Sequence, residues 1–168
     1  PEVTDVEPLD AETPEALLRV AAAVERQSQH PLAQAVVRAA ADRTLDVPDA
    51  GPLESITARG VRASVDGEMV EIGSTRLWTD QQIAIPTAIE TMLGQLQKAG
   101  RSVMIVKHGP RWLGVLGLAD QPRPEARAVL QQLRGLSLQP LVMLTGDNRG
   151  VAEAVAREIG VDEVRGDL

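Results

Sequence analysis

The chain has 168 residues and a formal net charge of −7, with 17 Lys and Arg against 24 Asp and Glu. That length suffices for one domain, or two small ones, with a buried core. The acidic balance and the lack of any basic run exclude nucleic acid as a partner bound through overall charge. Mean hydropathy is −0.08, and no stretch approaches the roughly 20 apolar residues that cross a bilayer, so this fragment is not expected to be embedded in a membrane.

Three residue types are rare or missing. The absence of Cys excludes disulfides, thiolate metal sites and thiol nucleophiles, and two His are too few for a structural zinc cage. Trp78 and Trp112 are the only aromatic residues, so a flat ligand must be held mostly by aliphatic groups, His and backbone. The start, Pro1-Glu2-Val3, has neither an initiator Met nor a signal segment, and we expect an excised piece of a longer protein.

Two helices are predicted near the start of the chain. Apolar residues recur at helical spacing over residues 10–27, where Thr13-Pro14 supplies an N-cap and a proline in the first turn. The same spacing returns over residues 31–41, after a short turn at residues 28–30.

The period then changes to that of β-strands. Asp66-Gly67 lies between two alternating segments and is a strong signal for a tight hairpin, and Gly100 is placed to end a helix. The predicted elements are a hairpin of residues 60–65 and 68–72, a helix over 86–98, and a second hairpin of 102–107 and 111–118.

The pattern changes again near residue 119. A helix over 124–133, an apolar run over 141–144, a helix ending at 159 and a strand over 161–164 alternate as in a βαβ unit. We therefore predict an α/β protein: an α+β domain with an antiparallel sheet and flanking helices over residues 1–118, and part of a Rossmann-like domain over 119–168. The second piece has only two strands, so it should lean on the first piece or on chain outside this sequence.

Two motifs of the second piece have both a functional and a structural interpretation. Thr145-Gly146-Asp147 follows an apolar strand and precedes a helix, the arrangement in which phosphate groups bind. In the alternative interpretation, Asp147 only caps that helix. Asp120 either accepts a hydrogen bond from a phosphate-loop amide or is a turn residue before proline.

The first piece contains a comparable pair of alternatives. His30 lies between the two predicted helices, about one turn after Glu25, and an imidazole beside a carboxylate can stack on and hydrogen-bond a purine. His30 is either the leading adenine contact or a helix cap. Gly60 and Gly73 open and close the first hairpin, where they either let the backbone approach a ligand or relieve strand twist.

Taken in order, the His-Pro-Leu turn, the Gly-Val hairpin, the Ile-Gly-Ser segment, Asp120-x-x-Arg123-Pro124 and Thr145-Gly146-Asp147-Asn148 resemble the cytosolic ATP-binding region of a heavy-metal-transporting P-type ATPase. The resemblance covers essentially the whole chain. It implies a nucleotide-binding N-domain over 1–118, with the linker that leads into it, and part of a haloacid-dehalogenase-like phosphorylation domain (P-domain) over 119–168. The implied ATP contacts are Glu25, His30, Gly60, Gly73 and Ser74. The residues implied to face the γ-phosphate are Asp120, Thr145, Gly146 and Asp147.

The sequence departs from the family pattern in two places. The family's Glu before His is Gln29 here, and the first Gly of its Gly-x-Gly pair is Ala58. The Asp-Lys-Thr-Gly-Thr segment with the phosphorylated Asp, and the Gly-Asp-Gly-x-Asn-Asp segment that helps to hold Mg²⁺, are not in this sequence. We therefore expect the fragment to bind ATP without turning it over, with Mg²⁺ required by the full pump.

The resulting hypothesis is an ATP-binding domain at the cytoplasmic face of a metal-export pump. Its partners would be ATP and the rest of the pump, meaning the transmembrane and actuator domains, with hinges near residues 1–9 and 117–120. The lack of Cys favours zinc, cobalt or cadmium as the cargo and leaves copper open. The alternatives are a haloacid-dehalogenase-like phosphatase with a cap, which lacks the expected Asp-x-Asp or Asp-x-Thr nucleophile segment, and a stand-alone adenine-nucleotide sensor.

Overall fold

The computed structural model describes residues 1–119, 125–145 and 149–166. Asp120, Gly146 and Asp147 lie outside the described residues. The chain divides into two compact units: unit 1 is 1–97 with 101–120, and unit 2 is 98–100 with 121–168. No helix in the described part of the chain has both the length and the apolar character needed to cross a membrane.

Unit 1 is an antiparallel sheet with helices on both faces, and the strand order is β1-β6-β5-β4-β3-β2. Its elements are β1 (Glu2–Pro8), α1 (Pro14–Glu25), α2 (Pro31–Asp42), β2 (Glu54–Ile56), β3 (Gly60–Val65), β4 (Glu68–Gly73), α3 (Arg76–Thr79), α4 (Thr87–Lys98), β5 (Ser102–His108) and β6 (Arg111–Ala119). The predicted fold class is confirmed for this unit.

The helices begin where their capping residues predict. The Thr13 side chain accepts a hydrogen bond from the Ala16 N–H at 3.1 Å, and the His30 ring accepts one from the Leu32 N–H at 3.2 Å. Each cap is followed by a proline in the first turn, where a missing N–H has no cost. The turn between α1 and α2 is therefore held by both the cap and the start of α2.

Two hydrophobic clusters lie on opposite faces of the sheet. The first packs α1 and α2 against strand residues such as Ile72 and Leu116. The second packs α3 and α4 against Ile105 and Val115, and it contains both tryptophans, whose rings meet edge to face with centroids 5.0 Å apart. The aromatic residues are thus used in the core.

Three elements of unit 1 were not predicted: β1, β2 and α3. Residues 2–8 lie where a hinge is expected near residues 1–9. They form β1 and pair with β6, from Glu2 opposite Ala119 to Pro8 opposite Gly114, and the hinge stays a prediction. The segment Glu-Val-Thr-Asp-Val-Glu-Pro lacks a clean alternation because it is an edge strand, with only Val3 and Val6 packed on the first cluster.

Unit 2 contains the predicted βαβ arrangement, which confirms the fold class here as well. Its elements are α5 (Ala126–Gly135), β7 (Val142–Leu144), α6 (Arg149–Ile159) and β8 (Glu163–Arg165). β7 and β8 are parallel, and Asp162 fixes their start by accepting from the Leu141 N–H at 2.8 Å and by pairing with Arg134. The Leu141 amide and then Arg134 lower the pKa of the Asp162 carboxyl.

Candidate functional site

A pocket of about 420 Å³ lies in unit 1, between the α1–α2 turn and the end of the sheet formed by β2, β3 and β4. That volume is within the range of small-molecule sites. The structure brings together around this pocket all five residues that the sequence associates with ATP, namely Glu25, His30, Gly60, Gly73 and Ser74. Their contacts with a ligand remain a prediction.

The last residue of α1, Glu25, is a buried carboxyl group in this pocket. Only 3% of the Glu25 surface is exposed to solvent. Within the described residues no hydrogen bond or ion pair reaches the carboxyl group, and burial alone raises its pKa from 4.5 to about 7. An isolated carboxyl group that titrates near neutrality is typical of a ligand-binding position rather than of a structural one.

His30 caps α2, one of the two roles considered for it, whereas its contact with adenine stays a prediction. Its Nδ1 accepts a hydrogen bond from the Leu32 N–H, and this bond caps α2. The backbone N–H of His30 donates to Ser28 Oγ at 3.2 Å, within the turn that precedes α2. His30 also lines the pocket. Because Nδ1 is the acceptor, the neutral ring carries its proton on Nε2, which is then available to donate to a ligand.

Gly60 and Gly73 face each other as the paired residues at one end of β3 and β4. A Cβ on Gly60 would lie 2.1 Å from the Ile72 carbonyl oxygen, and a Cβ on Gly73 would lie 2.2 Å from the Arg59 carbonyl oxygen. The two glycines are therefore required by the close approach of two backbones at the edge of the pocket, independently of any ligand.

Arg59 and Ser74 also lie at this edge of the pocket, and Arg59 was not predicted as a site residue from the sequence. The Ser74 N–H donates to the Arg59 carbonyl at 2.9 Å, which extends the strand pairing beyond Gly60 and Gly73. The Arg59 side chain forms an ion pair with Asp80, with Nε 2.6 Å from Oδ2. The sequence feature that could have predicted Arg59 at the pocket is its position directly before Gly60.

The rest of the pocket wall is mainly aliphatic. No aromatic side chain lies among the described residues of the lining, and contact of a flat ligand with aliphatic groups, His and backbone stays a prediction. The aliphatic residues of the lining are Leu32, Ala33, Ile56, Ala58, Val61, Ile72, Val103 and Met104.

Ala58 occupies a backbone conformation that favours glycine, with φ of 58°. We expect Ala58→Gly to raise the free energy of unfolding by about 1 kcal/mol, because the left-handed conformation is strained for a residue with a Cβ. Urea denaturation measures this change. Ala63→Gly in β3 is the control: Ala63 is buried, so removal of its methyl group should lower stability instead. A loss of stability in Ala58→Gly would contradict the prediction.

The other predicted site residues are less fully described. Thr145 directly follows β7, and its N–H donates to the Arg165 carbonyl at 3.0 Å, which places it at the carboxyl end of a parallel strand. Asp120, Gly146 and Asp147 lie outside the described residues. Gln29, which replaces the family's Glu, is exposed and does not line the pocket.

The family model of haloacid dehalogenase-like hydrolases matches residues 2–167. The chain belongs to this family. The resemblance to heavy-metal P-type ATPases is confirmed by curated relatives. A probable copper-exporting P-type ATPase of Mycobacterium tuberculosis is 35% identical over 96% of this chain and 21% of its own length. A probable cadmium-transporting ATPase of Staphylococcus aureus is 34% identical over all of this chain and 24% of its own length.

Solved structures show the same relationship. A crystal structure of a zinc-transporting PIB-type ATPase superimposes on 99% of this haloacid dehalogenase-like chain with a TM-score of 0.83 and 34% identity, and 26% of that protein is covered. The crystal structure of the N-domain of a copper-transporting P-type ATPase matches this chain with a TM-score of 0.61 and 25% identity. The match covers 71% of this chain and all of that N-domain. The chain thus spans about a fifth to a quarter of the length of its curated relatives.

Proposed function

We propose that residues 1–118 form the ATP-binding N-domain of a heavy-metal export P-type ATPase and that residues 119–168 are part of its P-domain. The observation that carries this proposal is the convergence of Glu25, His30, Gly60, Gly73 and Ser74 on one pocket of suitable size. The family membership and the N-domain relative support it independently.

The proposed ligand contacts follow from the chemistry of the pocket. The adenine ring lies against His30 and the aliphatic wall, and Nε2–H of His30 donates to a ring nitrogen. The Glu25 carboxylate accepts from the exocyclic amine of adenine, which supplies the partner that the carboxyl group lacks in the described residues. Gly60, Gly73 and Ser74 let the ligand approach the backbone at the end of the β3–β4 hairpin.

The P-domain part is assigned a role in phosphoryl transfer. Thr145, Gly146, Asp147 and Asp120 position the γ-phosphate, and the aspartate that accepts it belongs to chain outside this sequence. Mg²⁺ is assigned to ATP and to the rest of the pump, because the Gly-Asp-Gly-x-Asn-Asp segment that the resemblance associates with Mg²⁺ is not in this sequence. This chain alone binds ATP without hydrolysing it.

In the proposed parent pump, this chain lies at the cytoplasmic face of a membrane and is joined to transmembrane and actuator domains. Hinge motion near residues 117–120 would carry ATP from the N-domain to the P-domain. Zinc, cobalt or cadmium is the proposed cargo, with copper as the alternative. The names of the relatives include copper, cadmium and zinc, so transport assays of the full pump with each metal ion are the test.

Substitution of His30 tests the proposal directly. We expect His30→Ala and His30→Asn to weaken ATP binding by about tenfold, because each removes the ring and its Nε2–H. Calorimetric titration with ATP, ADP and AMP measures the loss. His30→Asn retains a side chain that can cap α2, so its stability should match the wild type, whereas His30→Ala should lose about 1 kcal/mol.

Gln29→Ala is the matched control for these titrations, since the neighbouring side chain is exposed and outside the pocket. It should leave ATP affinity unchanged. A folded wild-type chain that binds no adenine nucleotide at millimolar concentration would contradict the proposed function. Release of phosphate from ATP by the chain alone would instead favour a phosphatase.

A further inference from the structure

Among the described residues that line the pocket, Arg59 is the one with a permanently charged cationic side chain. The chain as a whole is acidic, with a formal net charge of −7, and Glu25 adds a carboxyl group inside the pocket. A ligand with several negative charges therefore needs a local cation to offset repulsion. Arg59 is the residue that supplies one.

The backbone of Arg59 is fixed on both sides. Its N–H donates to the Ile56 carbonyl at 2.9 Å, which closes the turn between β2 and β3. Its carbonyl accepts from the Ser74 N–H at 2.9 Å, across the hairpin. The side chain thus starts from a well-defined point at the edge of the pocket.

The guanidinium itself is oriented by Asp80. The Asp80 carboxylate binds the Nε side, with a distance of 2.6 Å from Oδ2, and the two side chains are 45% and 46% exposed. Within the described residues no further hydrogen bond is made by the two terminal Nη atoms of Arg59. That edge of the guanidinium is free to bind an oxyanion in the bidentate geometry that arginine favours.

The lining residues differ in their exposure to solvent. Glu25 is 3% exposed, whereas the Arg59 side chain is 45% exposed, so we take the Glu25 part of the pocket as its buried end. A nucleotide whose base occupies the buried end extends its phosphates toward the exposed end. The base and the phosphate chain would therefore meet different residues.

We propose that Arg59 binds the phosphate chain of the nucleotide and that Asp80 is a positioning residue that orients its guanidinium. This inference rests on the proposed function, since it assumes that the pocket binds an adenine nucleotide. It adds a determinant of phosphate recognition on the N-domain side, separate from the base contacts of Glu25 and His30.

The test compares adenosine with ADP and ATP as ligands of the 168-residue chain, by calorimetry in EDTA so that no metal ion neutralises the phosphates. The wild type is expected to bind ATP at least about tenfold more tightly than adenosine. Arg59→Gln should lower ATP affinity about tenfold and leave adenosine affinity unchanged. Arg59→Lys keeps the charge but lacks the planar guanidinium group, so its ATP affinity should lie between those of the wild type and Arg59→Gln.

Two further variants complete the design. Asp80→Asn should lower ATP affinity by about threefold without changing the affinity for adenosine. In the wild type, the difference between the affinities for ATP and adenosine should shrink as the salt concentration is raised. Arg62→Gln is the matched control, because Arg62 is a partly exposed arginine of β3 that pairs with Glu54 and lies outside the pocket lining. Its affinities should equal those of the wild type.

The possible failures are distinguishable. If the wild type binds neither adenosine nor ATP, the proposed function fails and this inference fails with it. If it binds both, but Arg59→Gln leaves ATP affinity unchanged or weakens the two ligands equally, only the role of Arg59 is overturned. A gain in ATP affinity in Asp80→Asn would overturn the positioning role of Asp80, since it would mean that the carboxylate repels the phosphates.

Discussion

Replacement of Glu25 by Gln is expected to stabilise the chain by about 3 kcal/mol at pH 8, although it removes a residue of the candidate site. The carboxyl group has a pKa of about 7 in the folded chain and 4.5 as its model value, because burial disfavours the charged form. Each unit of such a shift corresponds to about 1.4 kcal/mol. Glu25 is therefore a cost to the fold whenever it is charged.

The sign and the pH window follow from proton binding. Below about pH 4.5 the group is protonated in both states and has no effect on stability. Between pH 4.5 and 7 the unfolded chain releases the proton and the folded chain retains it, so stability falls as pH rises. Above pH 7 both states are charged and the full penalty is present. Gln does not titrate, so the gain in stability of Glu25→Gln over the wild type grows between pH 4.5 and 7.

Urea denaturation at pH 5 and pH 8 measures the effect. The difference between Glu25→Gln and wild type should be below about 1 kcal/mol at pH 5 and about 3 kcal/mol at pH 8. Glu7→Gln is the control, since Glu7 is exposed on β1, and it should change stability by less than about 0.5 kcal/mol at either pH. Equal stability of Glu25→Gln and wild type at pH 8 would show that the carboxyl group is solvated.

The same residue links nucleotide binding to pH. If the carboxylate accepts from the adenine amine, ATP favours the charged form, and wild-type ATP affinity should rise between pH 5 and 7. Glu25→Gln should bind ATP more weakly and without that pH dependence. A buried group that destabilises the fold and strengthens binding is an example of a site residue retained at a cost in stability.

The elements predicted from sequence are those with strong local signals. Thr13 before a proline marks α1, and Asp66-Gly67 marks the first hairpin, where both residues have positive φ, 51° and 83°. β1 was missed because its partner is more than 100 residues away in sequence, with Glu2 paired to Ala119. A short edge strand gains its stability from that distant partner and carries little pattern of its own.

The candidate site divides in the same way. Glu25 and His30 were predicted because His30 lies in the turn between two recognisable helices and Glu25 lies about one turn earlier, on the first of them. Arg59 was missed because its orientation depends on Asp80, 21 residues further along the chain. The raised pKa of Glu25 depends on burial by several elements, which no local pattern of residues records.

Gly60→Ala is expected to lower the free energy of unfolding by about 3 kcal/mol or more and the melting temperature by about 10 °C. The new Cβ would lie 2.1 Å from the Ile72 carbonyl oxygen and 2.7 Å from the Gly73 Cα. These are backbone atoms of the paired strand and cannot rotate away as a flexible side chain can. The end of the β3–β4 hairpin must therefore separate, and thermal unfolding measures the cost.

Gly94→Ala is the matched control, since it makes the same substitution within α4, where an added Cβ meets nothing within 4 Å. It should raise stability by about 0.5–1 kcal/mol, because Ala favours a helix over Gly. Wild-type stability of Gly60→Ala would contradict the close approach of the two strands. Because Gly60 and Gly73 form the edge of the pocket, the separation should also weaken ATP binding in chains that remain folded, whereas Gly94→Ala should bind ATP normally. The glycines thus couple the stability of the hairpin to the shape of the site.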